Sequence, residues 1–216
     1  MSGLVVIGAG GHGRVVADTL QKLGRAAQAV ILDADRTLHG TSLLGIPIRG
    51  SDELLPVLRA EGYAEFLVAV GGVRAFALRR KLFLAARNAG LRGYVLRHPS
   101  SVFAESAQIG EGCQVLAGAI VNACALIGEN CILNTGSIVE HDCRLGADVH
   151  VAPRAVLAGG VEVGDQVHIG AGAIICENLR IGARSIVGAG AVVIREVPPD
   201  VVVAGVPAKV IRRSVQ

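Results

Sequence analysis

Glu140-His141-Asp142 places an imidazole between two carboxylates. An adjacent carboxylate can hold one tautomer of the ring and leave the other nitrogen free as a base. His141 follows the aliphatic Val139 by two positions, so it is expected outside the hydrophobic core; the plainer alternative is an exposed histidine on a solvated corner. Eighteen residues after His141 stands Gly159, followed by Gly160. A glycine N–H beside a base is suited to stabilising an oxyanion, although the same residue also reads as an ordinary corner glycine. Whether the two meet depends on the elements that carry them.

Those elements are set by a repeat. Sixteen positions spaced six apart, from Phe103, Ile109 and Val115 to Val187 and Val193, hold Val, Ile or Leu without a miss after the first. A helix would scatter them around its circumference, and a flat strand has a period of two. A three-sided prism fits: each hexapeptide is one wall, three walls make a coil, and the aliphatic side chain points inward. The residues four positions later are mostly small or branched, among them Cys113, Ala119, Ala125, Cys131, Ser137, Cys143 and Ala155, as a narrow core requires. Gly110, Gly128, Gly146, Gly164 and Gly182 recur every 18 residues and are expected to give the corners backbone freedom. Residues 18 apart then stack at about 4.8 Å. That brings Gly159 beside His141 and stacks His150 with His168. The array is a parallel β-helix, whose handedness does not follow from the period.

Residues 1–97 have a different texture. Strands are expected at Leu4–Ile7, Ala29–Leu32, Phe66–Val70 and Tyr94–Leu96, with helices over Arg14–Leu23, Ser51–Glu61 and Arg74–Ala89. The second helix is expected to start at a Ser-Asp cap. Alternation of this kind implies a small parallel α/β sheet. Gly8, Gly10 and Gly13 satisfy G-x-G-x-x-G between a strand and a helix, and Asp33 lies 20 residues further on. The glycines admit a diphosphate, the helix N-terminus favours its charge, and the acid suits ribose or base. Three readings compete: a nicotinamide-binding dehydrogenase, for which half a dinucleotide fold is available; a purely structural tight turn; and a nucleotide-sugar diphosphate site. His12 either caps the helix or donates to phosphate.

Composition narrows the classes. A net charge of +3 with no Trp and 3% aromatics gives no nucleic-acid signature. No charged-then-apolar leader opens the sequence, and no apolar run approaches the roughly 20 residues of a membrane span, so a soluble cytoplasmic protein is expected. Cys113, Cys131 and Cys143 fall at inward small positions and read as core packing rather than as a disulfide or a nucleophile. No cysteine or histidine spacing suggests a metal site.

With the hexapeptide array, Gly8–Gly13, Leu32-Asp33, Asn134-Thr135, Glu140-His141-Asp142 and Ala204-Gly205-Val206-Pro207-Ala208-Lys209 assembled, the whole chain resembles the bacterial nucleotide-aminosugar N-acetyltransferases of the left-handed β-helix superfamily. The resemblance implies an α/β N-terminal domain with a small parallel sheet over residues 1–97, a left-handed parallel β-helix over 98–197 and a closing segment over 198–216. It implies acetyl transfer from acetyl-CoA, without a metal, to the 4-amino group of a nucleotide-linked sugar, with GDP-perosamine favoured. Acetylation of UDP-4-amino-4,6-dideoxy-N-acetylglucosamine, sialic acid O-acetylation and a non-catalytic nucleotide-sugar sensor are the alternatives. It matches His141 to a general base, Asp142 to its orienting acid and Gly159 to the oxyanion donor. His150, Ala171 and Ala189 match acetyl-CoA contacts; Gly10, Gly11, His12, Asp33 and Gly71 match the sugar-nucleotide loop. It further implies a homotrimer and a place in O-antigen biosynthesis. Family members often carry two acids after the second strand, whereas Ala34 separates Asp33 from Asp35 here, which leaves base selectivity open.

Overall fold

A computed structural model describes residues 2–73 and 75–213; the expected helix start at Arg74 and the last residues of the closing segment, 214–216, lie outside the described residues. The chain divides into two units, residues 1–95 and 96–216.

The first unit is a six-stranded sheet. Its elements are β1 (Gly3–Ile7), α1 (Gly11–Lys22), β2 (Ala29–Leu32), β3 (Ser42–Leu43), β4 (Ile46–Gly50), α2 (Leu55–Ala60), β5 (Tyr63–Val68), α3 (Phe76–Asn88) and β6 (Arg92–Gly93). The strand order is β3-β4-β2-β1-β5-β6, parallel throughout except for the β3–β4 hairpin. Val5, Ile7, Val30, Leu32, Phe66 and Val68 pack against Leu82, Phe83 and Ala86 of α3. These strands are apolar without alternation because a parallel sheet flanked by helices is buried on both faces.

Several boundaries differ from the sequence reading. α1 begins at Gly11 rather than Arg14, so the last half of the glycine motif is its first turn. The expected helix over Ser51–Glu61 is a short 3₁₀ turn, Asp52–Leu54, followed by α2, and the Ser51 side chain makes no cap. The closing strand is β6, and Leu96–Arg97 instead opens the second unit by pairing with Gln114–Val115.

The second unit is the expected prism. Two-residue strands recur every six residues from Val102–Phe103 to Val192–Val193 and sort into three parallel sheets, one per wall. From Val102–Phe103 to Ile174–Ile175 each strand pairs with the one 18 residues later; Ile138–Val139 pairs with Val156–Leu157, and His150–Val151 with His168–Ile169. The aliphatic residues and the small residues four positions on form one continuous core. A hairpin of Val201–Ala204 with Lys209–Arg213 ends the sheet that carries His150.

The corners correct one expectation. From residue 112 to residue 190, every sixth residue has a positive φ, and eight of these fourteen, including Asp142, Arg154 and Asn178, are not glycine. The glycines at 110, 128, 146, 164 and 182 are absent from that set. They are required for room: a β-carbon on Gly128 would sit 2.5 Å from the Gly146 carbonyl oxygen of the next coil.

Candidate active site

His141 and Asp142 occupy one prism corner. Asp142 adopts φ 60° and its N–H donates to the Ala123 carbonyl at 3.0 Å, which fixes the corner. From there its carboxylate reaches His141, with Asp142 Oδ2 2.8 Å from Nδ1 of the ring. That contact assigns the proton to Nδ1 and leaves Nε2 as the free base. Glu140, the other flanking acid, is engaged elsewhere, accepting from the Asn122 amide at 2.8 Å. Spacing alone allowed either acid; the resemblance pointed to Asp142, and it is Asp142 that contacts the ring.

Gly159 lies directly beside the ring. A β-carbon there would stand 2.6 Å from both Cε1 and Nε2 of His141. Gly160 N–H donates to the His141 carbonyl at 2.9 Å, whereas the Gly159 N–H donates to no protein acceptor among the described residues. The His141 and Asp142 side chains are 63% and 66% exposed, so the base faces open space.

A second corner carries the other expected residues. Ala171 and Ala189 are corner residues 18 apart, and neither N–H donates to a protein group among the described residues. His150 is buried on the adjoining wall. Its Nε2 lies 3.1 Å from the Asn134 amide nitrogen, and the Asn134 oxygen is taken by the Thr135 N–H at 2.8 Å. The amide therefore donates to Nε2, which puts the ring proton on Nδ1. His168 packs edge-on against His150, with centroids 4.9 Å apart, and burial holds its pKa down at about 4. Asn134 entered the sequence reading only as part of a motif; its role as a partner of His150 becomes visible once residues 16 apart face each other.

Three of the five cysteines pack in the prism core. Cys113, Cys131 and Cys143 are free, buried thiols that donate to the carbonyls of Gly128, Gly146 and Ala158. Burial raises the pKa of Cys131 and of Cys143, which keeps the thiols protonated. No group of three metal-ligating side chains forms among the described residues.

In the first unit, Gly10 precedes α1 in extended conformation and Gly11, His12 and Gly13 form its first turn. Gly13 is required by close approach, since a β-carbon there would meet the Gly8 carbonyl oxygen at 2.4 Å. Gly71 lies against the His12 side chain. Asp33 braces this loop: Oδ2 accepts the Ala9 N–H at 2.6 Å and Oδ1 accepts the Asp35 N–H at 2.9 Å. A cavity of about 310 Å³ opens beside it, lined by Gly8, Asp33, Asp52, Val70, Leu78 and Lys81 among others. Asp52 and Lys81 were not singled out in the sequence. The available signal was that Asp52 closely follows a parallel strand, as Asp33 does. A larger open groove of about 1,070 Å³ runs along another wall of the prism past Arg144, Glu162 and Arg180, and contains neither His141 nor Gly159.

Comparison with known proteins accounts for both units. The PglD N-terminal domain matches residues 3–84, and the bacterial transferase hexapeptide family matches residues 124–159 and 160–195. A single-residue variant of perosamine N-acetyltransferase from Caulobacter crescentus, solved with CoA and GDP-perosamine, is 44% identical over 97% of each chain, with a TM-score of 0.91. The chain belongs to the nucleotide-aminosugar N-acetyltransferases of the left-handed β-helix superfamily. The acetyltransferase domain of PglB from Neisseria gonorrhoeae, in complex with acetyl coenzyme A, is 40% identical over 97% of this chain and 99% of that one, with a TM-score of 0.89. WeeI from Acinetobacter baumannii is 28% identical, covers 98% of this chain and all of its own, and has a TM-score of 0.85. No curated protein matches. Membership in the left-handed β-helix superfamily supplies the handedness that the six-residue period left open.

Proposed function

We propose that this protein transfers the acetyl group of acetyl-CoA to the 4-amino group of a nucleotide-linked dideoxy sugar, with GDP-perosamine the favoured acceptor. One observation carries the proposal: an imidazole whose Nδ1 is held by Asp142 at 2.8 Å lies against the α-carbon of Gly159, whose N–H is uncommitted among the described residues. The identity of 44% with a perosamine N-acetyltransferase supports the acceptor.

In this reading the transfer is direct. The sugar amine attacks the thioester carbonyl, a C–N bond forms, and the C–S bond breaks. His141 Nε2 takes the proton released by the amine and returns it to the departing thiolate, so the products are an amide and a free thiol. Asp142 holds the ring, and the Gly159 N–H stabilises the tetrahedral oxyanion. The uncommitted N–H groups of Ala171 and Ala189 receive the amide carbonyls of the CoA arm, beside His150. Gly10, Gly11, His12 and Gly71 surround the diphosphate, with Asp33 at the base of their loop. The assembly is a cytoplasmic homotrimer serving O-antigen biosynthesis, and the separate corners for base and acetyl-CoA contacts are suited to a site shared between adjacent prisms.

The test is to mix the protein with acetyl-CoA and a panel of nucleotide-linked amino sugars and follow thiol release. Release with GDP-perosamine is the expected result. Release only with hydroxyl acceptors, sialic acid included, would replace the proposal by O-acetylation, and nucleotide-sugar binding without any thiol release would make the protein a sensor.

A further inference from the structure

The cavity in the first unit holds two charges that the glycine loop does not use. Ile7 and Leu32 end two adjacent parallel strands and Val70 follows a third, and all three line the cavity. Open α/β sheets take ligands at this place, beyond the carboxyl ends of their strands. Asp33, the acid expected to read the ligand, already accepts one backbone N–H on each oxygen. Asp52, half-buried, and Lys81, exposed, also line the cavity, and neither side chain has an ion-pair or hydrogen-bond partner among the described residues. Apolar side chains of Leu78 and Leu82 complete the lining.

We infer that Asp52 and Lys81 read the base of the nucleotide sugar and favour guanine over uracil. The inference rests on the reading of the first unit as the nucleotide-sugar site. A carboxylate accepts two parallel N–H groups, and an ammonium only donates. The pairing edge of guanine presents two adjacent N–H donors and a carbonyl, which matches that pair. Uracil presents one N–H between two carbonyls, so a carboxylate facing it also meets carbonyl oxygens. The cavity is at the small end of the roughly 300–1,000 Å³ range for ligand sites. It therefore suits a base between apolar walls, with the diphosphate over the glycine loop that adjoins it through Gly8.

Calorimetric titration of the full chain with GDP, UDP and CoA tests this. The wild-type protein is expected to bind GDP at least about tenfold more tightly than UDP. Asp52→Asn should weaken GDP about 10–100-fold, the worth of hydrogen bonds to a charged group, and UDP far less, with CoA binding unchanged as evidence of folding. Lys81→Met should weaken GDP with the same preference. Equal losses for GDP and UDP, or undiminished GDP binding in both variants, would overturn the base-reading role while leaving the nucleotide site intact. A wild-type protein that binds neither nucleotide would overturn the nucleotide-site reading itself and this inference with it.

Discussion

The ring of His141 rests on the α-carbon of Gly159: a β-carbon there would be 2.6 Å from Cε1 and Nε2. No side chain but hydrogen fits without moving the base. Gly159→Ala keeps the N–H proposed to hold the oxyanion and displaces the imidazole instead. The turnover number for thiol release is expected to fall about 10–100-fold, because small misplacements of catalytic groups are costly. The melting temperature should change little, since the ring is exposed and free to rotate away. Full activity in the variant would show that the ring's present position is not the working one.

The His141–Asp142 pair gives a graded prediction. His141→Asn removes the base and is expected to lower the turnover number by about 10²–10⁴. Asp142→Asn leaves the base but loosens its tautomer and orientation, so a smaller loss is expected. Neither change should alter stability much, because exposed pairs contribute little. Steady-state kinetics and thermal melts on the same samples check both. An Asp142→Asn loss as large as that of His141→Asn would give the carboxylate more than an orienting role.

The prism was legible because its period matches no other structure, and the stacking of Gly159 on His141 followed by counting 18 residues. What stayed hidden depended on individual hydrogen bonds. Spacing places Glu140 and Asp142 alike beside His141; that Glu140 is held by the Asn122 amide while Asp142 holds the ring shows only in the hydrogen bonds. Asp33 sits where a ribose-binding acid belongs, yet nothing in its spacing reveals that Ala9 and Asp35 already occupy its oxygens. The β3–β4 hairpin was missed because its turn residues are Leu44 and Gly45, both at positive φ. Leucine is not a turn signal of the Asn-Gly kind.

The glycine column separates two physical requirements that look alike in sequence. Gly128→Ala forces a β-carbon against backbone atoms of the next coil, at 2.5 Å from the Gly146 oxygen and 2.6 Å from its carbon. Backbone in a stacked coil cannot yield easily, so a loss of about 1–3 kcal/mol or more is expected. Gly172 has a positive φ but nothing within 4 Å of the β-carbon position. Asparagine tolerates that conformation, and the corners at Asn130 and Asn178 already use it. Gly172→Asn should therefore cost only a few tenths of a kcal/mol. Urea denaturation monitored by circular dichroism compares the two, and equal costs would mean that the space around the β-carbon does not set the cost at either position.

His168 makes stability depend on pH with a definite sign. Burial lowers its pKa from 6.5 to about 4, so between those values the unfolded chain binds the proton and the folded chain does not. Stability is then greatest above pH 6.5 and falls as the medium is acidified towards pH 4. At about 1.4 kcal/mol per pH unit, acidification from pH 7.5 to pH 5 costs on the order of 2 kcal/mol through this group alone. His168→Leu removes the titration while keeping an apolar side chain beside His150. Its stability at pH 7.5 should change modestly, and the drop on going to pH 5 should be smaller than in the wild type by that amount. Parallel losses in the two proteins would assign the acid sensitivity to other groups and refute a neutral, buried His168.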